Sequence, residues 1–381
     1  MNPITLLQPP RIVFGNGCAP QCAEVFAQRG CRRVLLVSSA PVLPTLDDVV
    51  AAVKKSGVQT VQAPAVDSEP TCARFEQILR FAQTEKIDGV LGIGGGSTID
   101  VAKLAAALVH GSQTVNEVFG INLLHGRELP LVCLPTTAGT GAEVSPNAIL
   151  LDETDELKKG VVSPHLVPDA AFVDPLLTLS VPPGVTAATG LDALTHCIEA
   201  YANKFAHPVV DTYALQGVRL ISANLVRAVR NGKDSEARAA LALGSLYGGL
   251  CLGPVNTAAV HALAYPLGGR FHVAHGVSNA VLLPHVLRFN VSAAPARYAE
   301  VSAALGVARN GSDPGTAAKG VDFLSRLSRE CGVPQRLSDL KIPRDAIPAL
   351  ARSAMQVTRL LKNNLRPLTG ADAERIYEAA W

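Results

Sequence analysis

Short runs of aliphatic and β-branched residues alternate with helical periodicity through the first half of the chain. RRVLLVSS (32–39), VQTVQA (58–63), DGVLGIG (88–94) and LPLVCLP (129–135) each have the length and composition of a buried strand. Between them, 44–56 and 71–86 repeat apolar residues every three or four positions. Gly57 stops the first of these helices, and Thr71, after Pro70, is placed to cap the second. A further helix follows Gly94 and runs to about His110. Strand and helix alternating at this spacing predict a parallel sheet with helices on both faces. Segments near 145–151, 158–163 and 170–173 are expected to be further strands.

After VPPGV (181–185) the period changes, and helical spacing dominates to the C-terminus. In the helix that opens at Pro183, Leu191, Leu194, Ile198 and Tyr201 form one apolar stripe, with Asp192 and His196 on another. Helices are predicted around 208–230, 234–252, 255–267 and 276–290. The expected architecture is an α/β domain over 1–183 followed by an all-helical domain over 184–381.

Composition narrows the function. Of the 381 residues 48% are hydrophobic and 17% charged, against a usual charged fraction of about 25%, so an ample core is expected. The net charge is only +2, and no dense Lys/Arg block occurs, which argues against nucleic acid or a membrane surface as partner. The opening MNPITLLQPPRIVFG lacks the pattern of an export signal, and no window of 18 uninterrupted apolar residues suggests a span. The eight cysteines are scattered without a CxxC and mostly lie in apolar stretches. A reduced, cytoplasmic setting is expected.

Two loops after buried strands carry the first candidate chemistry. Gly94, Gly95, Gly96 and Ser97 join a strand to a helix, where bare backbone and a helix N-terminus favour a phosphate. The motif is not GxGxxG and follows the third predicted strand. A second loop, PTTAGTGAE (135–143), offers Thr136, Thr137 and Thr140 to a pyrophosphate, ribose or nicotinamide. Asp100, one turn into the helix, is better placed to orient a cofactor than to hold phosphate, or it simply complements the helix dipole.

The second candidate chemistry lies in the helical half. Asp192 and His196 share a helix face, where side chains four apart lie about 5–6 Å from each other. Alone they are also consistent with an ordinary ion pair, but their apolar neighbours predict burial, and a buried carboxylate needs a partner or a metal. His261 lies in NTAAVHALAYP and His275 at the start of a helix, with Gly268 and Gly269 expected to break the chain between them. One carboxylate and three imidazoles suit a borderline divalent ion such as Fe(II) or Zn(II). His272 is the remaining histidine close enough to be a substrate-side group.

These motifs resemble, end to end, those of the iron-dependent (group III) alcohol dehydrogenase family. The resemblance covers FGNG (14–17), GGGSTID (94–100), PTTAGTGAEV (135–144), ATGLDALTHCIEAY (188–201), HALAYPLGG (261–269) and HGVSNAVLLPHVLRFN (275–290). Length and motif spacing are similar to the lactaldehyde reductase and 1,3-propanediol dehydrogenase members. The resemblance implies a dehydroquinate synthase-like fold, a site in the cleft between two domains and a homodimer. It implies NAD or NADP and one divalent metal, Fe(II) with Zn(II) or Ni(II) as alternatives. The metal ligands implied are Asp192, His196, His261 and His275. The implied cofactor residues are Gly95, Gly96, Ser97, Asp100, Thr136, Thr137, Thr140 and Lys158.

Three positions depart from the family pattern. Ser39 stands where an acidic residue often repels the 2′-phosphate of NADP. Tyr265 stands where a second histidine often follows the third ligand, which leaves a phenol as candidate proton relay. NLR (364–366) replaces a common NPR and is expected to alter the pocket mouth. The implied reaction is hydride transfer between a small alcohol or aldehyde and a nicotinamide cofactor, with a metal polarising the substrate oxygen. A maleylacetate reductase-like enzyme is disfavoured by the full ligand set. A dehydroquinate synthase-like lyase is disfavoured because Arg270 and Arg288 are the only Lys or Arg residues across 240–290. A non-catalytic cofactor binder is disfavoured by the same ligands.

Overall fold

A computed structural model describes residues 3–67, 69–154, 157–309 and 311–381. The strands of the described residues are β1 (Arg11–Phe14), β2 (Arg33–Val37), β3 (Gln59–Gln62), β4 (Gly89–Gly94), β5 (Gly120–Ile121), β6 (Leu131–Pro135), β7 (Asn147–Asp152), β8 (Leu157–Val162) and β9 (Ala170–Val173). The first helices are α1 (Cys22–Gln28), α2 (Asp47–Lys55), α3 (Cys72–Thr84), α4 (Gly96–Leu108) and α5 (Val115–Val118). Backbone proximity groups these elements into one compact unit, residues 6–137 and 141–179.

Six strands form one sheet in the order β1-β9-β6-β4-β2-β3, and every neighbouring pair is parallel. All residues of β4 and β6 are buried, as expected of parallel strands covered on both faces. The expected α/β fold is therefore present, and Thr71 caps α3 by accepting from Arg74 N–H. The sequence pattern missed two strands. β1 has four residues just after Pro9 and Pro10, and β5 has two, too few for a period to show. The strands expected near 145–151 and 158–163 do not join the large sheet. They pair antiparallel as β7 and β8, with β5 beside β8, in a separate three-stranded sheet.

Connections diverge at β2 and β4. The chain leaves β2 through α2 to β3 on one side, and leaves β4 through α4 towards β6 on the other. That reversal is a topological switch point, and ligand crevices in open α/β sheets form outside the strand C-termini there. The two strand ends are tied together by Ser38 Oγ, which donates to Ile93 O at 2.8 Å.

On the inner side of α4, Lys103 is fully buried. Its ammonium donates to Ser145 O and Asn147 O, both at 2.7 Å, and to Ser145 Oγ at 3.3 Å. Burial lowers its pKa, opposed by Asp100 and then Cys133 and Glu143. The lysine thus fastens α4 to the segment entering β7.

The second unit holds residues 180–381, the segment 138–140 and the N-terminal stretch ending at Thr5. Its helices are α6 (Pro183–Tyr201), α7 (Pro208–Arg230), α8 (Ser235–Leu252), α9 (Ala259–Phe271), α10 (His275–Asn290), α11 (Pro295–Ala304), α12 (Asp313–Glu330), α13 (Ile347–Met355), α14 (Thr358–Leu361) and α15 (Gly370–Ala380). The single apolar stripe expected of α6 understates its position. Every residue from Gly190 to Tyr201 is buried, because α7, α8 and α10 all pack on it. The expected break at Gly268 and Gly269 is also corrected. Both are buried inside α9, and the helix ends at His272, whose φ of 54° is left-handed. His272 N–H returns to Gly268 O and Val273 N–H to Leu267 O, closing the helix end.

Replacing Lys103 by Met should leave two buried carbonyls unpaired. Unfolding in urea is expected to show a loss of about 2–4 kcal/mol, and a loss below about 0.5 kcal/mol would show the ammonium to be dispensable.

Candidate metal centre and cofactor loops

Asp192, His196 and Glu199 follow one another at four and three residues along α6 and so share one face. α9 presents His261 from its first turn, and α10 begins at His275. These three helices converge on one carboxylate oxygen. Asp192 Oδ1 lies 3.5 Å from His261 Nε2, 3.5 Å from His275 Nε2 and 4.0 Å from His196 Nε2. Ligand atoms of Asp192, His261 and His275 lie within 4.8 Å of one another. The His196 ring stacks on His261 with centroids 4.6 Å apart. The Asp192, His196 and His261 side chains are almost fully buried, whereas that of His275 is 28% exposed, which makes it the solvent-side member.

Close packing sets this convergence. A Cβ on Gly276 would lie 2.2 Å from Ala188 O, so only glycine lets the first turn of α10 approach the α6 backbone this closely.

The electrostatics are those of a buried anion among imidazoles. Burial pushes the Asp192 carboxyl up, but His196, His275 and His261 outweigh it and hold the pKa far below the ordinary carboxylate range. Burial takes His196 down to about 4, against the pull of Asp192. Burial also lowers His261, but Asp192 and Glu199 overcome it and raise the pKa to about 9.

Two residues that sequence reasoning missed complete the cluster. Glu199 Oε2 lies 2.6 Å from His261 Nδ1. Asn279 Nδ2 donates to Asp192 Oδ1 at 2.6 Å and lies 3.1 Å from His261 Nε2 and 3.3 Å from His275 Nε2. The signal for both was helical spacing: Glu199 is seven after Asp192, and Asn279 is four after His275. The arrangement fits a divalent cation. Hard and borderline donors meet at one buried point, an amide N–H group serves there as partial positive charge, and Asn279 Oδ1 is buried without a hydrogen-bond partner.

The other candidates fall in several places. Tyr265 lies beside the cluster, its ring centroid 6.0 Å from that of His275. His272 is exposed at the end of α9, and its backbone there is the helix terminator described above. The NLR segment fastens the far end of α10: Asn364 and Asn290 exchange hydrogen bonds at 2.8 Å, and Arg366 donates to Phe289 O.

In the α/β unit, Gly95 precedes α4 in extended conformation and offers no side-chain cap to the first N–H groups of a 13-residue helix. A Cβ on Gly94 would come within 2.6 Å of Thr98, so glycine there allows β4 and α4 to meet. The second loop lies alongside, since Thr136 N–H donates to Gly94 O at 2.9 Å and Thr137 neighbours Gly95. These loops, with Ser97, sit at the switch point and fit an anionic dinucleotide. Ser39 follows β2, and its carbonyl accepts from Val42 and Leu43 N–H. Beside it Asp67 Oδ1 accepts from Ala40 N–H at 2.7 Å. Asp100 turns away from the loop edge: its carboxylate accepts from Ile149 N–H at 3.0 Å, and burial raises its pKa to about 7 against the pull of Lys103. The Lys158 side chain, on β8, is shielded from solvent and ion-paired with Glu69. Thr140 lies in the short segment grouped with the helical unit.

An α/β unit with an open switch point, together with a helical unit carrying a buried Asp/His cluster, is the arrangement expected of a metal-linked dehydrogenase. Family models match almost the whole chain: "Iron-containing alcohol dehydrogenase" over residues 9–175, and "Fe-containing alcohol dehydrogenase family, C-terminal" over residues 186–381. The chain belongs to the iron-containing alcohol dehydrogenase family. It is 40% identical to the long-chain-alcohol dehydrogenase 1 of Geobacillus thermodenitrificans, over 100% of this chain and 98% of that one. It is 31% identical to the NAD-dependent methanol dehydrogenase of Bacillus methanolicus, over 98% of each. A solved 1,3-propanediol oxidoreductase superposes with a TM-score of 0.96 at 32% identity, covering both chains fully.

Gly276→Ala tests the convergence. The added methyl must push α10 from α6, with an expected stability loss of about 1–3 kcal/mol. Zinc retained after desalting should fall with it, read by atomic absorption. Unchanged zinc content would show that the close approach does not set the position of His275.

Proposed function

We propose that the protein is a metal-dependent, NAD(P)-linked alcohol dehydrogenase and aldehyde reductase acting on a small, uncharged alcohol or aldehyde. The observation that carries this reading is the single buried carboxylate oxygen of Asp192 faced by His196, His261 and His275. These four residues would hold the ion, with Fe(II) the first choice from family membership and Zn(II) or Ni(II) as alternatives. When bound, the ion supplies a Lewis acid for the substrate oxygen, and the nicotinamide supplies the hydride acceptor or donor. Gly95, Gly96, Ser97 and the α4 N-terminus would hold the pyrophosphate, with Thr136, Thr137 and Thr140 towards the ribose and nicotinamide. The remaining contribution of the protein is placement and exclusion of water. Tyr265, beside His275, is the better-placed proton relay, and His272 is a weaker one because of its exposure.

Family membership supports a homodimer and a functional division near residue 183. Among the described residues, no helix is long and apolar enough to cross a membrane. Although Ser39 carries no charge, Asp67 brings a carboxylate to the same turn, and that favours NAD over NADP by repulsion of the 2′-phosphate.

The decisive experiment follows NADH and NADPH oxidation with a panel of small aldehydes after reconstitution with each metal. His261→Ala should abolish metal retention and activity while NADH affinity, read by fluorescence, stays nearly intact. Full activity in chelator-stripped wild type would contradict the reading. Asp67→Asn should raise the NADPH-to-NADH ratio of kcat/KM by about tenfold, a loss of one short-range repulsion of about 1.4 kcal/mol. An unchanged ratio would remove Asp67 from cofactor selection.

A further inference from the structure

α9 starts without a capping side chain of its own. Its N-cap is Ala258, with φ −137° and ψ −133° and no side-chain hydrogen bond. The missing acceptor comes from another helix. Glu199 on α6 accepts from Ala258 N–H at 3.0 Å and Val260 N–H at 2.6 Å, and the same carboxylate meets His261 Nδ1 at 2.6 Å. Glu199 is 4% exposed, so this carboxylate is committed to one short stretch of chain.

The consequence for His261 follows from hydrogen-bond chemistry. A carboxylate can only accept, so Nδ1 carries the hydrogen and, in the neutral ring, Nε2 carries the lone pair. Nε2 is the atom that faces Asp192 Oδ1. The two backbone contacts fix the turn from which the ring projects, and the third contact fixes its rotation and tautomer. Because Asp192, His196 and Glu199 share one face of α6, one helix both provides two of the candidate ligands and aims a third.

We propose that Glu199 is a positioning residue. It clamps the first turn of α9 to α6 and sets the His261 ring with Nδ1 protonated and Nε2 presented for coordination. This rests on the metal-dependent reading above. Loss of such an outer carboxylate commonly weakens metal affinity by about 10- to 100-fold. A purely structural cap would lower stability and leave affinity unchanged.

The test uses the full-length protein with Zn(II), by competition titration against a chromogenic chelator and by proton NMR of the zinc-loaded and metal-free forms. Wild type, with or without zinc, should show a slowly exchanging low-field Nδ1–H resonance that is absent in the metal-free His261→Ala variant. Glu199→Ala is expected to raise the zinc dissociation constant towards the upper end of that range and to abolish the resonance. Glu199→Gln keeps one acceptor for Nδ1–H but adds a donor against Val260 N–H, so it should give a partial loss of about tenfold with the resonance retained but shifted. Should the alanine variant fail to fold, the glutamine variant decides. Zinc affinity within about twofold of wild type and an unshifted resonance, whatever the change in Tm, would overturn the proposal. Failure of wild type itself to bind zinc, iron or nickel would instead overturn the metal-dependent reading, so the two failures are distinguishable.

Discussion

The helical unit is organised around a carboxylate that cannot be left alone. Asp192 is 2% exposed, and an ionised carboxylate taken from water costs several kcal/mol unless charge or hydrogen bonds replace the lost solvation. Its replacements come from different helices: His196 from α6 itself, His261 from α9, His275 and Asn279 from α10. Helix packing and the Asp192 environment are therefore one problem. The α6–α10 approach requires Gly276, while the α9 turn requires Glu199, a residue of α6.

The α/β unit poses the opposite problem, because the cofactor we propose for it is an anion. What the unit offers there is backbone rather than side chains. The strand order reverses its direction of winding at β2 and β4, and the uncapped start of α4 stands at that point. Lys103, the nearest buried cation on α4, is turned inward to the carbonyls of Ser145 and Asn147. The lysine thus holds α4 in place, and the N–H groups of the α4 first turn remain as the source of positive potential there.

The sequence made the fold class legible because its two periods are strong. Fully buried β4 and β6 appear as unbroken apolar runs, and the switch to helical spacing after residue 181 is abrupt. What escaped was short or contextual. β1 and β5 lack the length for a period, and the separate pairing of β7 with β8 depends on long-range contacts that local pattern does not carry. Gly268 and Gly269 were misjudged because glycine weakens a helix in isolation by about 1 kcal/mol. Here they are buried in α9, so packing overrides that preference. Asp192, His196, His261 and His275 were legible as residues that converge. Glu199 and Asn279 were not, since a glutamate or asparagine on a helix is ordinary until its partner on another helix is known.

The difference in legibility has a physical source. An anion can be held by consecutive backbone N–H groups, so a site for one is contiguous in sequence and marked by glycine, the pattern that made 94–96 a candidate. A divalent cation needs side-chain donors from several directions, and consecutive residues on a helix point in different directions. The donors must then be spaced by whole turns on one helix or recruited from others, which spreads the proposed ligands from Asp192 to His275. Mounting them on helix interiors and first turns rather than on loops gives each donor a rigid base. The same choice places the outer residues, such as Glu199, at turn spacing from a ligand. A search one and two turns along the ligand-bearing face of each helix is thus the physically justified way to find the supporting residues of such a centre.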